Sequence, residues 1–319
     1  MTDGRYGRVA VLVPCLNEER TVGKVVDDIR RELPGCAVYV YDNRSTDATA
    51  RVASEHGAVV RHEPRPGKGV TVRQMIRDID ADCYLLVDGD DTYPAESARL
   101  LVEPVLSGKA DHVVGDRLSN GSYARENRRL FHGVGNDLVR GLIRVLYGYA
   151  FADVMSGYRA VSRPFAKTLP ILGRGFELET ELSIFAADHA WRTLEVPIDY
   201  RDRPEGSISK LDTFRDGLRV LRCIASLFRD YKPLPFFGIL TLAFAAAGLA
   251  LGIPVCLEFA ATGLVRRFPT AVLAAALCGL GALMLACGLI LDSCAKASRR
   301  SWEMEATRAF AEGRDAAKS

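Results

Sequence analysis

The chain has 319 residues, of which 48% are hydrophobic and 26% are charged, and this suits one large domain or one domain with an appendage. Its net charge of +2 is too even for a protein devoted to nucleic acid, so we expect no nucleic-acid partner. Its eight cysteines include no Cys-x-x-Cys pair, which argues against a zinc site and favours a reducing compartment.

Short β-rich runs alternate with amphipathic stretches in the first part of the chain. Strands are predicted at 8–14, 36–42, 58–62, 83–90 and 111–115, and helices at 19–33, 47–56, 69–80 and 95–106. This alternation is typical of an α/β domain with a mostly parallel sheet, in which ligands bind beyond the carboxyl ends of the strands. The N-terminal stretch lacks the pattern of a secretory signal, so we expect the domain to be cytoplasmic.

Carboxylates follow two of the predicted strands. Asp42 ends the second strand, and the stretch LVDGDDTYP places Asp88 and Asp90 directly after the apolar run of the fourth. Mg²⁺ and Mn²⁺ take carboxylate oxygens, keep several waters and are usually completed by substrate phosphates. We therefore predict that Asp88 and Asp90 bind Mg²⁺ or Mn²⁺. A solvated acidic turn is the alternative, since Asp-x-Asp is frequent in loops.

The stretch PGKG at 66–69 suggests a phosphate site of one of two kinds. A P-loop requires the pattern Gly-x-x-x-x-Gly-Lys-Ser/Thr, which this stretch does not have, and this argues against an NTPase. We instead expect Lys68 to contact the phosphates of a nucleotide donor, because its flanking glycines let the backbone approach a ligand closely.

Two basic amphipathic stretches are predicted to form helices, at about 125–147 and at 212–232. Each has apolar residues at helical spacing with several arginines among them. Such helices can lie in the membrane interface, where arginines reach phosphate head groups. Ordinary surface helices packed on the core are the alternative, which the second stretch fits less well because it adjoins an apolar segment.

Residues 236–257 and 268–291 carry no charged side chain. At about 1.5 Å per residue each stretch can cross a hydrocarbon core of roughly 30 Å, so both are predicted to be transmembrane helices. A buried hairpin of soluble helices is the alternative. Lys and Arg are frequent at the outer ends of the pair, whereas the connecting loop has only Arg266 and Arg267, so both termini are expected in the cytoplasm.

These observations predict four regions in a multi-pass protein of the cell membrane. They are a cytoplasmic domain at 1–211, a juxtamembrane amphipathic helix at 212–232, a two-helix anchor at 233–292 and a cytoplasmic tail at 293–319. A homo-oligomer is left open, since nothing in the sequence specifies or excludes a second copy.

Eight short motifs follow one another along this chain. They are VLVPCLNEE (11–19), VYVYDNRSTDAT (38–49), RPGKG (65–69), LVDGDDTYP (86–94), VVGDR (113–117), DVMSGYRAVSR (153–163), GFELETEL (175–182) and RPEGSISKL (203–211). In order and spacing the chain resembles the family 2 glycosyltransferases of GT-A fold, over roughly residues 8–232. The motifs are similar to those of the polyprenyl-phosphate branch, the dolichyl-phosphate mannose synthases and the bacterial undecaprenyl-phosphate glucosyltransferases.

The resemblance implies three groups of site residues. The nucleotide-sugar pocket would contain Pro14, Asn17, Glu18, Asp42, Asn43, Lys68, Asp88 and Gly89, with the metal on Asp88 and Asp90. The phosphate of the acceptor lipid would contact Arg117, Arg128, Arg203, Ser209 and Lys210. Asp90 and Asp153 would be the catalytic residues. Three glutamates are expected either in the pocket wall or on a helix surface: Glu177, Glu179 and Glu181.

Two positions refine this expectation. Asn43 stands where the family usually has a second Asp, and one Asn carbonyl suffices for the single N3–H of uracil, which favours a UDP-sugar over a GDP-sugar. Asp153 stands in the place of an acceptor-side carboxylate. A phosphomonoester is already largely dianionic at neutral pH, so we expect Asp153 to orient the acceptor or nearby arginines and not to act as an obligatory base.

The resemblance therefore implies inverting transfer of one sugar from a UDP-hexose such as UDP-glucose to undecaprenyl or dolichyl phosphate at the cytoplasmic membrane face. A GDP-mannose-dependent synthase is the alternative with another donor. A processive polysaccharide synthase would carry a Gln-x-x-Arg-Trp motif, which the sequence lacks. A catalytically silent membrane scaffold or binding protein is a further alternative, against which the intact Asp88, Asp90, Arg203 and Lys210 argue.

Overall fold

A computed structural model describes residues 6–119, 130–173, 175, 177–201 and 213–316. The chain forms two compact units, one of Met1–Ile224 with Glu305–Ser319 and the other of Ala225–Met304. The first unit contains a β-sheet with its helices, and the second contains the apolar helices.

Seven strands form one sheet in the described part of the first unit. They are β1 Val9–Cys15, β2 Ala37–Asp42, β3 Val59–His62, β4 Cys83–Leu86, β5 His112–Asp116, β6 Arg159–Ser162 and β7 Thr193–Pro197, in the spatial order β3-β2-β1-β4-β6-β5-β7. β6 runs antiparallel to its neighbours β4 and β5, and the other pairs are parallel. The predicted α/β fold with a mostly parallel sheet is confirmed.

Helices connect most of these strands. They are α1 Val22–Glu32, α2 Thr49–Glu55, α3 Lys68–Asp78, α4 Ala98–Leu106, α5 Leu130–Tyr147, α6 Arg163–Thr168 and α7 Leu178–Asp188, and α4 follows a 3₁₀ turn at Ala95–Ser97. The first four match the predicted helical stretches, and α5 lies within the predicted basic helix. The sequence reasoning missed β6, β7, α6 and α7.

Uninterrupted apolar runs form the central strands because both faces of the sheet are covered. Three consecutive residues of β1, Val11, Leu12 and Val13, are 0% exposed. Leu85 on β4 and Val113 on β5 belong to the same buried cluster as Val11 and Val13. This core holds the ends of the strands in fixed positions, and those ends carry the polar residues of interest.

The reversed strand β6 brings its beginning to the edge at which its neighbours end. Arg159, the first residue of β6, pairs with Leu86 of β4 and with Val114 of β5. The turn 153–158 that precedes β6 therefore reaches the carboxyl edge of the sheet, where ligands of such folds bind.

Helix α8, Thr213–Tyr231, precedes two long apolar helices, α9 Pro233–Thr262 and α10 Phe268–Ala316. α9 and α10 contain windows of mean hydropathy 2.2 and 2.3 and are long enough to cross a membrane. Only 6% and 17% of these windows are buried, which does not fit a buried hairpin of soluble helices. α10 continues to Ala316, so most of the segment predicted as a tail is helical.

Small residues line the contact between α9 and α10. A Cβ added to Gly248 would lie 2.6 Å from the Cys278 sulfur, and one added to Gly281 would lie 3.3 Å from the Thr241 carbonyl oxygen. Close backbone approach at small residues is typical of helices that pack in lipid.

Candidate active site

Several predicted site residues lie together where the parallel strands end. Asp42 is the last residue of β2, Asp88 follows β4 by two positions, and Arg117 comes directly after β5. The turn before β6 brings Asp153 to Arg117 at the same edge. The other predicted acceptor-phosphate residues lie outside the described part of the chain: Arg128, Arg203, Ser209 and Lys210.

The loop after β1 is joined to the loop after β2. The backbone N–H of Asn17 donates to the Ser45 hydroxyl at 2.8 Å, and the Asn17 Oδ1 accepts from the Thr46 N–H at 2.7 Å. The N–H of Glu18 donates to the Thr49 hydroxyl at 2.8 Å. Asn17 has a left-handed backbone (φ 53°), which Asn adopts more readily than most residues. Asn17 therefore fixes the shape of this corner of the predicted nucleotide pocket.

Asp42 is a buried carboxylate at the end of β2. It is 6% exposed, its Oδ1 accepts from the Ser45 N–H at 3.1 Å, and its Oδ2 lies 3.1 Å from His62 Nδ1 on β3. Pro14 on β1 lies one register position earlier, opposite Tyr41. Asp42 and Pro14 therefore share the carboxyl edge at which a nucleoside was predicted.

Asn43 holds the loop that carries PGKG. Its Nδ2 donates to the carbonyl oxygens of Glu63 at 2.8 Å and Arg65 at 2.7 Å, and its Oδ1 accepts from the Gly67 N–H at 2.8 Å. Only an amide side chain can donate twice and accept in this way. The amide of Asn43 therefore binds the protein's own backbone, and the interpretation that its carbonyl contacts a nucleobase loses its support.

Lys68 lies between two carboxylates. Its Nζ is 2.5 Å from Asp88 Oδ1 and 2.7 Å from Glu179 Oε1. Burial alone would lower the pKa of Lys68, but Asp88 and Glu179 raise it above its ordinary value, so the ammonium stays charged. Glu179 is 5% exposed on α7 and therefore belongs to the wall of the site and not to a helix surface.

The next two carboxylates of LVDGDDTYP have different surroundings. Asp90 is 4% exposed, and its Oδ1 accepts from the Thr92 hydroxyl at 2.7 Å. Asp91 has a left-handed backbone (φ 58°), and its Oδ1 is 2.7 Å from Lys24 Nζ in an exposed ion pair. The charge of Asp91 is therefore compensated by Lys24 outside the site. Asp90 stays inside the site.

Gly89 keeps this loop close to β1. An added Cβ would lie 2.6 Å from the Cys15 sulfur, and the Gly89 carbonyl oxygen accepts from the Thr21 hydroxyl at 2.6 Å. A glycine is therefore required between Asp88 and Asp90 for the loop to approach the end of β1.

The side chains of Asp88 and Asp90 suit Mg²⁺ or Mn²⁺. Both offer carboxylate oxygens, which are hard ligands of the kind that these ions prefer. The contact of Lys68 with Asp88 shows that a cationic group fits against this carboxylate. In the part of the chain that the structure describes, no group of three or more His, Cys, Asp and Glu could hold a metal ion. Water and a donor diphosphate would therefore have to supply the remaining ligands.

Arg117 and Asp153 form a buried bidentate ion pair. Arg117 Nε donates to Asp153 Oδ2 at 2.7 Å and Nη2 donates to Oδ1 at 3.0 Å, and Asp153 is 0% exposed. Burial alone would raise the pKa of Asp153, but Arg117 holds it below its ordinary value. Both carboxylate oxygens are engaged, which disfavours a role as proton acceptor and favours the predicted orienting role.

Tyr93 is a site residue that the sequence reasoning missed. Its hydroxyl accepts from the Gly157 N–H at 2.8 Å and from Arg117 Nη1 at 3.3 Å. The Arg117 Cζ lies 6.0 Å from the Tyr93 ring centroid and 5.4 Å from that of Tyr200. Arg117 thus uses most of its donors inside the protein, so the structure favours a positioning role for it over the predicted direct contact with the acceptor phosphate.

The turn before β6 is held from two sides. A Cβ added to Gly157 would lie 2.8 Å from Asp88 Oδ2 and 3.1 Å from Lys68 Nζ. From the interior, Arg159 donates to the carbonyl oxygens of Ser156 at 2.8 Å and Val154 at 2.6 Å. Burial lowers the pKa of Arg159 to about 10, so it remains charged at neutral pH.

Comparison with known proteins identifies the family of the chain. The model of the family Glycosyl transferase family 2 matches residues 10–169. Glycosyltransferase AglJ of Haloferax volcanii is 36% identical over 256 residues, which cover 79% of this chain and 82% of the relative. A dolichyl-phosphate hexose transferase of the same organism is 32% identical over 228 residues, which cover 71% of this chain and 96% of the relative.

A solved structure is also similar. Glucosyl-3-phosphoglycerate synthase from Mycobacterium tuberculosis, in complex with Mn²⁺, UDP-glucose and phosphoglyceric acid, superimposes with a TM-score of 0.58 at 25% identity. The match covers 69% of this chain and 79% of that chain, and it confirms the GT-A fold that the motifs implied. The chain belongs to glycosyl transferase family 2.

Proposed function

We propose that the protein transfers a single hexose from a UDP-hexose, with UDP-glucose as the first candidate, to a polyprenyl phosphate at the cytoplasmic face of a membrane. One observation carries the proposal: the sheet edge holds Asp88 with Lys68, the buried Asp90 and the Arg117–Asp153 pair. The chain also has two helices long enough to cross a membrane. A dolichyl-phosphate hexose transferase among the relatives supports a polyprenyl phosphate as the acceptor.

The donor side of the proposal is supported by the surroundings of Lys68. Lys68 begins α3, directly after Gly67, which has a positive φ of 123°. A charged ammonium and the N-terminus of a helix both favour phosphate groups. The complex of a structural neighbour with Mn²⁺ and UDP-glucose supports a UDP-hexose and a divalent ion. Because the Asn43 amide is engaged by backbone groups, its presence does not favour uracil over guanine, and GDP-mannose remains the alternative donor.

In the proposed reaction, an oxygen of the lipid phosphate attacks C1 of the hexose. The bond from C1 to the donor diphosphate breaks, and its electron pair leaves with UDP. The dianionic phosphate has no proton to lose, so Asp153 need not accept one. A bound Mg²⁺ or Mn²⁺ would supply positive charge that stabilises the leaving diphosphate. Lys68 adds a second positive charge there, and attack opposite the leaving group inverts C1.

The proposed location at the membrane is supported by the C-terminal helices. Lys and Arg are more frequent at the outer ends of the two apolar segments than between them, which supports cytoplasmic termini. Helix α8 leaves Leu218 and Leu221 exposed, at 45% and 37%, which supports contact of this helix with the membrane interface.

The test is transfer by the full-length protein in detergent or lipid nanodiscs. A panel of UDP- and GDP-sugars is combined with undecaprenyl and dolichyl phosphates and Mn²⁺, and the lipid product is identified by mass spectrometry. We expect polyprenyl-phosphate hexose and UDP in equal amounts. Transfer from GDP-mannose alone would select the alternative donor. If folded, membrane-inserted protein transfers sugar from none of the donors, the result would favour the alternative of a catalytically silent membrane scaffold.

A matched pair of variants tests the role of Asp90. Asp90→Asn should abolish transfer without changing membrane insertion, because it removes a carboxylate from the predicted metal site. Asp91→Asn should keep transfer within about twofold of the wild type, since Asp91 lies in an exposed ion pair with Lys24 and such pairs contribute little. Full activity of Asp90→Asn would overturn the metal assignment.

A further inference from the structure

The hydroxyl of Tyr93 connects two groups of site residues that come from distant parts of the chain. It accepts from the Gly157 N–H, 64 positions away, and from Arg117 Nη1, 24 positions away. Tyr93 is 5% exposed, so neither hydrogen bond competes with bulk water. Two donors therefore converge on one buried oxygen.

The first hydrogen bond determines where the turn before β6 lies. Gly157 packs directly against Asp88 and Lys68, since an added Cβ would be 2.8 Å from Asp88 Oδ2. A shift of the Gly157 backbone by a few tenths of an ångström would therefore change the space available to the Asp88 carboxylate and the Lys68 ammonium.

The second hydrogen bond acts on the buried ion pair. Arg117 is already bound through Nε and Nη2 to Asp153, and the Tyr93 hydroxyl engages Nη1. All three nitrogens of the Arg117 guanidinium are then engaged. The hydrogen bond from Nη1 fixes the rotation of the guanidinium plane relative to the Asp153 carboxylate. The hydroxyl of Tyr93 is thus in contact with both the Gly157 turn and the Arg117–Asp153 pair.

The Tyr93 ring is held independently of its hydroxyl. Its centroid lies 5.2 Å from that of Tyr158 and 5.8 Å from that of Tyr200. Aromatic contacts at these distances are favourable in tilted and edge-on arrangements. Removing only the hydroxyl therefore leaves the ring in place and deletes the two hydrogen bonds.

We infer that Tyr93 is a positioning residue whose hydroxyl sets the distance between the Asp88–Lys68 group and the Arg117–Asp153 pair. This inference rests on the proposed function, in which the first group faces the donor diphosphate and the second orients the acceptor phosphate. Alignment of the two phosphates is needed in the transition state more than in the complex with the donor alone. Loss of the hydroxyl should therefore reduce kcat more than it weakens donor binding.

The experiment compares Tyr93→Phe with Tyr84→Phe in the full-length protein. Tyr84 is a matched control because its ring is fully buried and its hydroxyl also makes two hydrogen bonds, with the Ala81 N–H and the Ile79 carbonyl, both at 3.1 Å. The measurements are kcat, the KM for the UDP-hexose and for undecaprenyl phosphate, and the midpoint of thermal unfolding.

We expect Tyr93→Phe to lower kcat about tenfold, the effect of one to two hydrogen bonds, while the donor KM changes less than about threefold. Tyr84→Phe should lower the midpoint of thermal unfolding about as much as Tyr93→Phe does, because each variant loses two hydrogen bonds. It should keep kcat within about twofold of the wild type. Equal kcat values for the two variants would overturn the inference. A loss confined to the donor KM would overturn it as well.

Hydrogen exchange separates this inference from the proposed function. In Tyr93→Phe the Gly157 N–H loses its acceptor, so exchange in the segment 154–159 should accelerate about tenfold or more relative to the wild type and to Tyr84→Phe. Unchanged exchange would overturn the inference whatever sugar is transferred. A wild-type protein that transfers no sugar would overturn the proposed function and leave the exchange result to decide the role of Tyr93.

Discussion

The Arg117–Asp153 pair has a geometric counterpart at the other end of the same strand. Arg117 follows β5 and contacts Asp153 at 2.7 and 3.0 Å, whereas Asp111 precedes β5 and contacts Arg192 at the same two distances. Both carboxylates are buried, at 0% and 4% exposure. The two pairs differ in their place in the fold, since only the first lies at the carboxyl edge of the sheet.

Asp153→Asn should therefore strongly lower activity, and Asp111→Asn should not. The first change leaves the Arg117 guanidinium buried without a counter-charge, which costs about 3–5 kcal/mol of stability, and a misplaced site loses on the order of 100-fold in rate. Arg192 has a side chain that is 56% exposed, so water can solvate its charge and Asp111→Asn should cost less, about 1–2 kcal/mol for the weakened hydrogen bonds of the buried carboxylate. Denaturant unfolding and the transfer assay measure the two effects.

Combining Asp153→Asn with Arg117→Gln distinguishes positioning from proton transfer. If the two residues act as one unit, the double variant should be no slower than the slower single variant, and its stability should partly recover because no charge is left unpaired. If Asp153 instead accepted a proton in the reaction, the rate losses of the two single variants should multiply in the double variant. The rate constants of the four proteins in this cycle decide between the two roles.

Gly157→Ala should disrupt the site directly. The new methyl group would meet the Asp88 carboxylate and the Lys68 ammonium at 2.8 and 3.1 Å, so one of these groups must move. We expect transfer to fall on the order of 100-fold. Gly141→Ala on α5 is the control, because an added Cβ there meets nothing within 4 Å and should leave activity unchanged. Full activity of Gly157→Ala would show that the close approach is unimportant.

Asn43→Asp tests the revised role of Asn43. The change removes both donated hydrogen bonds and faces a carboxylate toward the carbonyl oxygens of Glu63 and Arg65. We expect a loss of about 2–4 kcal/mol in the free energy of unfolding, from two buried acceptors that lose their donors. Because the Asn43 amide is engaged by backbone groups of the protein, competition by UDP and GDP should keep the wild-type ratio. A shift of that ratio toward GDP would restore the original interpretation.

Glu181 should make stability depend on pH. It is 5% exposed on α7 and accepts from the N–H groups of Leu172 at 3.2 Å and Gly173 at 3.0 Å. Burial raises the pKa of Glu181 to about 7. The folded protein therefore binds this proton more tightly than the unfolded chain. The associated stability is fully present below the ordinary pKa of a glutamate and is lost as the pH rises to about 7.

Glu181→Gln should remove this dependence, because the amide is uncharged like the protonated acid. The variant and the wild type should unfold at similar temperatures at pH 5, and the variant should be more stable at pH 8 by about 2–3 kcal/mol. Glu55→Gln, at an exposed ion pair on α2, should keep the wild-type pH profile. Equal slopes for wild type and Glu181→Gln would contradict the raised pKa.

The alternation of strands and helices made β1–β5 and α1–α4 predictable. It also placed Asp42 and Asp88 correctly at strand ends, because the carboxyl ends of parallel strands form the usual ligand edge. Strand β6 runs antiparallel between two strands of the opposite direction, and neither its existence nor its direction follows from the alternation of strands and helices.

The parts of the site that the sequence left open or missed depend on contacts between distant positions. Glu179 reaches Lys68 across 111 positions, and Tyr93 reaches Gly157 across 64. A glutamate on a helix and a tyrosine before a proline have no distinctive local pattern, so their roles appear only when the fold brings their partners to them. Asn43 was recognised as unusual, but its partners in the loop 63–67 were not predictable.

The reversed direction of β6 has a consequence for the chain segment 118–152. This segment leaves the sheet edge after Arg117 and returns to it at Asp153, and the ion pair closes it at its base. The entropy of closing a loop changes by only about 0.6 kcal/mol for each doubling of its length. The segment also contributes buried side chains, among them Ile143 of α5 and Phe151, at 0% and 2% exposure, so a change in its length is tolerated only where these residues keep their packing. If this segment contacts the acceptor as proposed, grafting it between relatives at Arg117 and Asp153 should change the acceptor preference while Asp42, Lys68 and Asp88 keep their places.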